Sequence, residues 1–346
     1  LVYSGKVEDI TFYTEKIYID DLTYYIDIDS EKEISIKGSA PDGTKIVTNI
    51  GYDENGLAYK LPNSIEQVPN SVSKNITSFK NLFRFTKNFN QDISSWDVSN
   101  IIDMSYMFAF SSFDSNISSW NVSKVKNMEA MFTGTNFDQT VIDWNVSNVT
   151  NMSYMFASNY NFDQDLSKWD VSKVTNTKKM FQYSIFNQNI SEWNVSNVTD
   201  MSYMFAFSSF DSNISSWNVS KVKNMEGMFT GTNFDQTVID WNVSNVTNMS
   251  YMFASNYNFD QDLSKWDVSK VTNTKRMFQD SIFNQNISEW NVSNVTDMSY
   301  MFKNSSFNND ISEWNVLNVR NHQGFDENTN WQNEYKPKFK DMSKLN

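Results

Sequence analysis

Ile117-Ser-Ser-Trp120-Asn-Val122-Ser-Lys-Val125-Lys-Asn-Met128-Glu-Ala-Met131-Phe132-Thr-Gly-Thr-Asn-Phe137 carries the reading of the whole chain. Its apolar residues are separated by Ser, Asn, Lys and Thr. Trp120 and Val122 alternate with Ser119, Asn121 and Ser123, a period of two that predicts a short strand with one buried face. Val125, Met128, Met131 and Phe132 follow at steps of three, three and one, which predicts one or two α or 3₁₀ turns with one apolar side. Neither piece buries that side within 24 residues, so such units must stack to form a core.

The stretch recurs. Ten tryptophans, Trp96, Trp120, Trp144, Trp169, Trp193, Trp217, Trp241, Trp266, Trp290 and Trp314, are spaced 24 or 25 residues apart. That is the period of a repeat array. Above it lies a longer one: Val98–Asn194 matches Val195–Asn291 at all but five positions, Ile101/Val198, Ile102/Thr199, Ala130/Gly227, Lys179/Arg276 and Tyr183/Asp280. A duplicated cassette of 97 residues fits an architecture in which each repeat touches only its neighbours and repeat number changes easily. The extra residue of the 25-residue repeats falls between Phe156 and Phe162 and between Phe253 and Phe259, where a loop absorbs it.

The expected fold is therefore a right-handed, leucine-rich-repeat-like or β-solenoid rod of about ten repeats, with short parallel strands, helical turns and inward Trp, Met and Phe. Ten strands at about 4.8 Å span roughly 48 Å. Residues 1–60 lack the period and read as a small, mostly β head. Asp9–Tyr13, Lys16–Asp20, Thr23–Asp29, Glu33–Lys37 and Lys45–Tyr52 are its strand candidates, and Pro41-Asp42-Gly43 and Asn55-Gly56 its turns. Residues 61–75 form a transition and N-terminal cap. The array runs over 76–325, opening where Ile76, Phe79, Leu82 and Phe83 take the places of Val125, Met128, Met131 and Phe132. Residues 326–346, with Lys336, Lys338, Lys340 and Lys344, read as a C-terminal cap and frayed tail.

Composition excludes several functions. The 346 residues hold no cysteine and one histidine, and 41 acidic against 28 basic residues give a net charge of −13. Disulfide chemistry is out. An acidic chain gains nothing from the counterion release that drives nucleic-acid binding, so DNA and RNA are not expected partners. No apolar run approaches the roughly 20 residues of a membrane-spanning helix. The chain begins at Leu1 rather than methionine, and the expectation is a trimmed or processed protein with its targeting segment upstream.

Phe186-Asn-Gln-Asn-Ile-Ser-Glu-Trp-Asn-Val-Ser-Asn-Val-Thr-Asp-Met-Ser-Tyr-Met-Phe205 resembles the bacterial surface-protein repeats grouped as domain of unknown function 285, abundant in mycoplasma surface lipoproteins. The I-x-x-W-x-V segment resembles the strand of a leucine-rich repeat, and V-x-x-M-x-x-M-F the corresponding stretch of BspA-like repeats shortened by one residue. The resemblance covers about Ile76 to Phe325. It implies a solenoid, an extracellular location and a lipid anchor upstream, and it carries no activity. Two departures stand out: Val125 and its equivalents replace the asparagine that closes a leucine-rich-repeat strand, and Thr177 and Thr274 replace the first methionine of the turn, thinning the core there.

Little in the array suits catalysis. His322, in the last and degenerate repeat, reads as structural or solvated. Asp163 and Asp165 form a D-x-D pair that suits Ca²⁺ as a hard cation, but sister repeats place Asn187 and Asn189 there, which favours turn-forming residues over a metal site. Sequons such as Asn121-Val-Ser, Asn148-Val-Thr and Asn151-Met-Ser belong to the repeat grammar. The enzymatic alternative places a site in the head, where Asp20, Asp21, Asp27 and Asp29 lie near Tyr24 and Tyr25. The preferred reading is no enzyme, no cofactor and no metal.

If tryptophan faces inward, the residues after it face out: Asp97, Asn121, Asn145, Asp170, Asn194, Asn218, Asn242, Asp267, Asn291 and Asn315. This polar row is the candidate interaction face, for a host or neighbouring surface protein, a glycan or ice. The functional expectation is a surface protein mediating adhesion or host-protein contact with variable repeat number. Its rivals are a structural coat or spacer without a ligand and a glycan-binding module.

Overall fold

The computed structural model describes residues 18–340 and, before them, the backbone of β1 (Lys6–Val7) and β2 (Ile10–Thr11), an antiparallel pair. The remaining residues of the Asp9–Tyr13 and Lys16–Asp20 candidates up to position 17, and Lys344, lie outside the described residues. In the head, β3 (Thr23–Ile26), β4 (Glu33–Ile36) and β5 (Val47–Asn49) make an antiparallel sheet of order β4-β3-β5. A 3₁₀ turn at Asn333–Tyr335 is the one helical element among the described residues.

The array contradicts the leucine-rich-repeat-like solenoid. Its units contain neither strands nor helical turns. Successive units meet at single parallel bridges, Asp103 to Asn127, Asn127 to Asn151, Asn151 to Asn176 and onward to Asn321. These bridges lie in the segment read as helical, not in the one read as a strand. The supposed strand is two tight turns: Trp120 N–H donates to Ile117 C=O at 3.1 Å and Val125 N–H to Val122 C=O at 2.9 Å. A spacing of three places both ends of a β-turn on the same side, so I-x-x-W and V-x-x-V bury their ends without a strand.

The supposed helix is a run of turns. Met131 donates to Met128 and Thr133 to Ala130, while the N–H groups between them, of Met128, Ala130, Phe132 and Gly134, donate to Asn151, Ser153, Met155 and Ala157 of the next unit. Alternate amides thus point along the stack instead of around a helix. The backbone reverses through positive φ at two positions per unit, filled for example by Tyr106 and Phe110, Tyr154 and Ser158, Lys179 and Tyr183, or Tyr203 and Phe207. This left-handed region disfavours side chains by roughly 1–2 kcal/mol per residue. Here the six or more bonds joining each unit to its neighbours impose it. Three of the five differences between the cassette copies, Ala130/Gly227, Lys179/Arg276 and Tyr183/Asp280, fall at these positions. Ser158→Gly with Ser255→Gly should raise stability by about 1 kcal/mol, because glycine relieves the strain at two φ values near 52–53°. A denaturant melt checks this, and a loss of stability would show that the serines are not strained.

Asn and Asp start the turns. In the unit around Trp120, the Oδ1 atoms of Asn116, Asn121 and Asn127 accept the backbone N–H of Ser118, Ser123 and Glu129, so the side chain substitutes for a backbone partner. This local competition explains why the sequence avoids helix despite helical spacing.

The core consists of columns. Phe83, Phe108, Phe132, Phe156, Phe181, Phe205, Phe229, Phe253, Phe278 and Phe302 stack with centroids 5.4–6.0 Å apart. A parallel column from Phe89 to Phe307 runs beside it, and the two touch within each unit at 3.8–4.3 Å. Tryptophans and most methionines are buried with them. Each indole also ties two units: Nε1 of Trp120 donates to Ile93 C=O, Trp193 to Leu166, Trp217 to Ile190 and Trp314 to Ile287, at 3.0–3.2 Å. The columns end where Phe325 and Trp331 turn edge-on to Phe302.

At the two thinner positions, Thr177 and Thr274 are buried, and each hydroxyl donates to the carbonyl of the following unit's Asp200 or Asp297 at 3.4 Å. The inserted residue of the 25-residue units brings in a buried Asn159, or Asn256, and leaves Tyr160 and Tyr257 prominently exposed.

Candidate functional site

All ten residues of the candidate row are exposed. They follow the tryptophan of each unit, and their side chains are engaged locally. Each Oδ1 accepts the N–H two residues on, at Ser99, Ser123, Ser147, Ser172, Ser196, Ser220, Ser244, Ser269, Ser293 and Leu317. What remains for a ligand is the second Asp oxygen or the Asn NH₂, repeated once per unit. A second ladder flanks the row: Asn148, Asn197, Asn245 and Asn294 donate to Ser carbonyls of the preceding unit, and Lys124, Lys173, Lys221 and Lys270 donate to the Oδ1 atoms of Asn100, Asn148, Asn197 and Asn245. Sequence reasoning missed this ladder, although the alternation of Lys and Asn at one position of the repeat was its signal.

The turn carboxylates share an electrostatic consequence. The hydroxyl and then the amide of Ser99, Ser172 and Ser269 hold Asp97, Asp170 and Asp267 below the ordinary carboxylate value, outweighing the small effect of burial. Asp92, Asp165, Asp262 and Asp310 are lowered in the same way, the amide of the serine two residues on contributing most. Because folded values lie below unfolded ones, these groups contribute stability that is full above the usual value of 3.8 and lost as pH falls through the lowered values. The denaturation midpoint should therefore be flat from neutral pH to about 5 and fall below about 4. A midpoint unchanged down to pH 2 would show that the Asp turns do not hold in solution.

Asp163 and Asp165 do not converge. Asp163 accepts the Asn187 amide at 2.8 Å and the Gln188 side chain at 2.9 Å, while Asp165 accepts the Ser167 amide. Among the described residues no group of three or more acidic or histidine side chains is arranged to hold a metal ion. His322 is half-buried and stacks on Phe339 at 4.3 Å.

Three of the four head aspartates are engaged by different partners. Burial pushes Asp20 up, but hydrogen bonds from Ser73, Tyr52 and Asn75 together hold it below its ordinary value. Asp21 pairs with Lys37 at 3.2 Å, Asp27 accepts the Ser30 hydroxyl and amide, and Tyr25 is in the core. An open hollow of about 500 Å³ nearby is lined by Asp21, Lys37, Tyr52, Asp53 and Asn75, with Asp21 the one member of the cluster to reach it.

Among the described residues no helix is long and apolar enough to cross a membrane. No curated protein and no solved structure matches the chain. One family matches it five times, over residues 58–139, 110–215, 168–238, 206–282 and 279–342, so the repeated units and their N-terminal approach are covered almost without interruption. The chain belongs to the family described as Mycoplasma protein of unknown function, DUF285.

Proposed function

We propose that the chain is a non-enzymatic, extracellular, surface-anchored repeat protein that makes adhesive contact with a host or neighbouring surface protein. The observation that carries this reading is the ten-residue row itself. One exposed Asn or Asp per unit, held in a fixed turn, presents a short amide or carboxylate group at regular intervals along the stack. Repetition of this kind multiplies weak contacts, and gain or loss of a cassette changes avidity without changing the unit. Converging catalytic groups need a concave site built from unlike residues, and duplicated units supply like ones.

The test is a screen of the intact protein against arrayed host surface proteins and glycans. It should be followed by a variant carrying Asn121→Asp, Asn145→Asp and Asn194→Asp. Aspartate keeps the turn acceptor, as Asp97 and Asp170 do, while it removes the NH₂ donor and adds charge. A protein ligand whose binding drops in this variant supports the proposal. No reproducible ligand, or binding retained by the head alone, favours a coat or spacer, and selection of glycans alone favours the glycan-binding rival. Surface proteolysis of intact cells tests the location, and resistance to it would count against surface exposure.

A further inference from the structure

We infer that a hollow at the N-terminal end of the stack binds an oxyanion, a sulfate, phosphate or carboxylate carried on a larger molecule. This site shares no residue with the ten-residue row and does not depend on the adhesive reading. The hollow, of about 360 Å³, is lined by Tyr59, Lys60, Lys80, Asn81, Arg84 and Phe85, with Leu57 and Ala58 at its side. Three cations and no carboxylate line it, in a chain of net charge −13. Some basic side chains of the chain pair with acids, as Lys37 does with Asp21, Lys45 with Glu66, Lys168 with Asp143 and Lys303 with Glu327, and others bond asparagine oxygens, as Lys124 and Lys173 do. Lys60, Lys80 and Arg84 have no ion-pair partner among the described residues.

The arrangement is organised before any ligand arrives. The Arg84 guanidinium lies over the rings of Phe85 and Tyr106, 4.8 Å from each centroid, and Nη1 donates to Asn81 Oδ1 at 3.2 Å. Its Nε is buried without an acceptor. A guanidinium held over two rings loses little freedom on meeting an oxyanion, and its planar group can offer two N–H donors at once. Lys60 also sits over Phe85, at 5.7 Å. Positive φ at Asn81 and Phe85 fixes the backbone that presents Arg84 between them. Phe85 is 39% exposed and offers an apolar surface to the body of the ligand.

The pairing of these two cations, Lys80 and Arg84, is not part of the repeat grammar. Lys178 and Lys275 recur at the place of Lys80, and Lys303 at that of Arg84, but they stand with Gln182, Gln279 and Ser299 at the companion position, so the two cations coincide in the first unit alone. A cation between two rings recurs, at Lys179 with Tyr154 and Tyr203 and at Arg276 with Tyr251 and Tyr300, but the cluster of Lys60, Lys80 and Arg84 around one hollow stands where the head meets the first unit.

Calorimetric titration of the intact protein with a sulfated oligosaccharide, its unsulfated counterpart, vesicles containing an anionic phospholipid, and inorganic phosphate tests the inference and identifies the source of the anion. At least one anionic probe should bind and the unsulfated sugar should not, with affinity fading above about 0.15 M salt, where the screening length is about 8 Å. Lys60→Gln with Lys80→Gln should weaken that binding about tenfold, whereas Lys126→Gln with Lys223→Gln, an equal loss of charge elsewhere, should change it less than about twofold. Lys60→Arg with Lys80→Arg should retain binding, which separates loss of charge from loss of fold. Failure of every anionic probe, or equal weakening in both glutamine variants, overturns the site.

Discussion

Phe181→Ala should destabilise the protein by about 3–5 kcal/mol, the range for emptying a fully buried phenylalanine site. Phe181 is buried at the middle of the stack, 4.0 Å from Phe186 in its own unit and 5.8 and 5.9 Å from Phe156 and Phe205 in the units on either side. The cavity is flanked by rings that hold their places through stacking and cannot collapse into it without breaking the column's spacing. In an array where stability is the sum of unit and neighbour terms, such a loss weakens two interfaces together. Chemical denaturation should show a lower midpoint and an added early phase as the halves separate. A cost under about 1 kcal/mol would mean that the columns are not the main support of the stack.

The second large effect is expected at Asn159, which is fully buried and fully used. Its Nδ2 donates to Phe137 C=O at 2.9 Å and Thr135 Oγ1 at 3.3 Å, and its Oδ1 accepts the amides of Asn161 and Phe162. Asn159→Ala leaves two amides and one carbonyl without partners, at about 1–3 kcal/mol for each group left buried. Several kilocalories per mole are thus at stake on one side chain. Asn159→Ser should recover part of the loss, because Ser184 and Ser208 occupy the corresponding place in 24-residue units and donate to the carbonyl three residues back. Thermal melts of the two variants decide the matter. Equal melting temperatures for Ala, Ser and the parent would show that the insertion does not depend on this network.

The period, the cassette and the identity of the interior residues were legible in the sequence, because Trp, Val, Met and Phe recur at fixed intervals and nearly all of them are buried, with Phe85 and Phe207 as exceptions. The backbone conformation was not legible. A spacing of three is shared by a helical turn and a β-turn, so Val125, Met128 and Met131 look alike in either. The feature that decides between them is the positive φ at Tyr106, Tyr154 and Tyr203, residues whose chemistry gives no hint of a left-handed backbone. Asn and Ser at the turns were the available signal against helix, since their side chains compete for backbone amides.

Exposure of the ten-residue row follows from the inward tryptophan, but the occupation of every Oδ1 by an amide does not. The cationic hollow was invisible because Lys60 reaches it from the approach to the array and Lys80 and Arg84 from its first unit.

The central claim is that units are welded to one another through side chains and alternate amides, without strands or helices. The indole N–H groups report on it directly, since each of the eleven tryptophans donates to a carbonyl more than twenty residues earlier in the chain, from Trp96 to Pro69 through Trp331 to Asn309. Hydrogen exchange of tryptophan-labelled protein, followed by NMR, should show the interior indoles protected to nearly the stability of the whole stack, with Trp96 and Trp331 exchanging soonest. Indole protons that exchange at the rate of free tryptophan in the middle of the array would contradict the account.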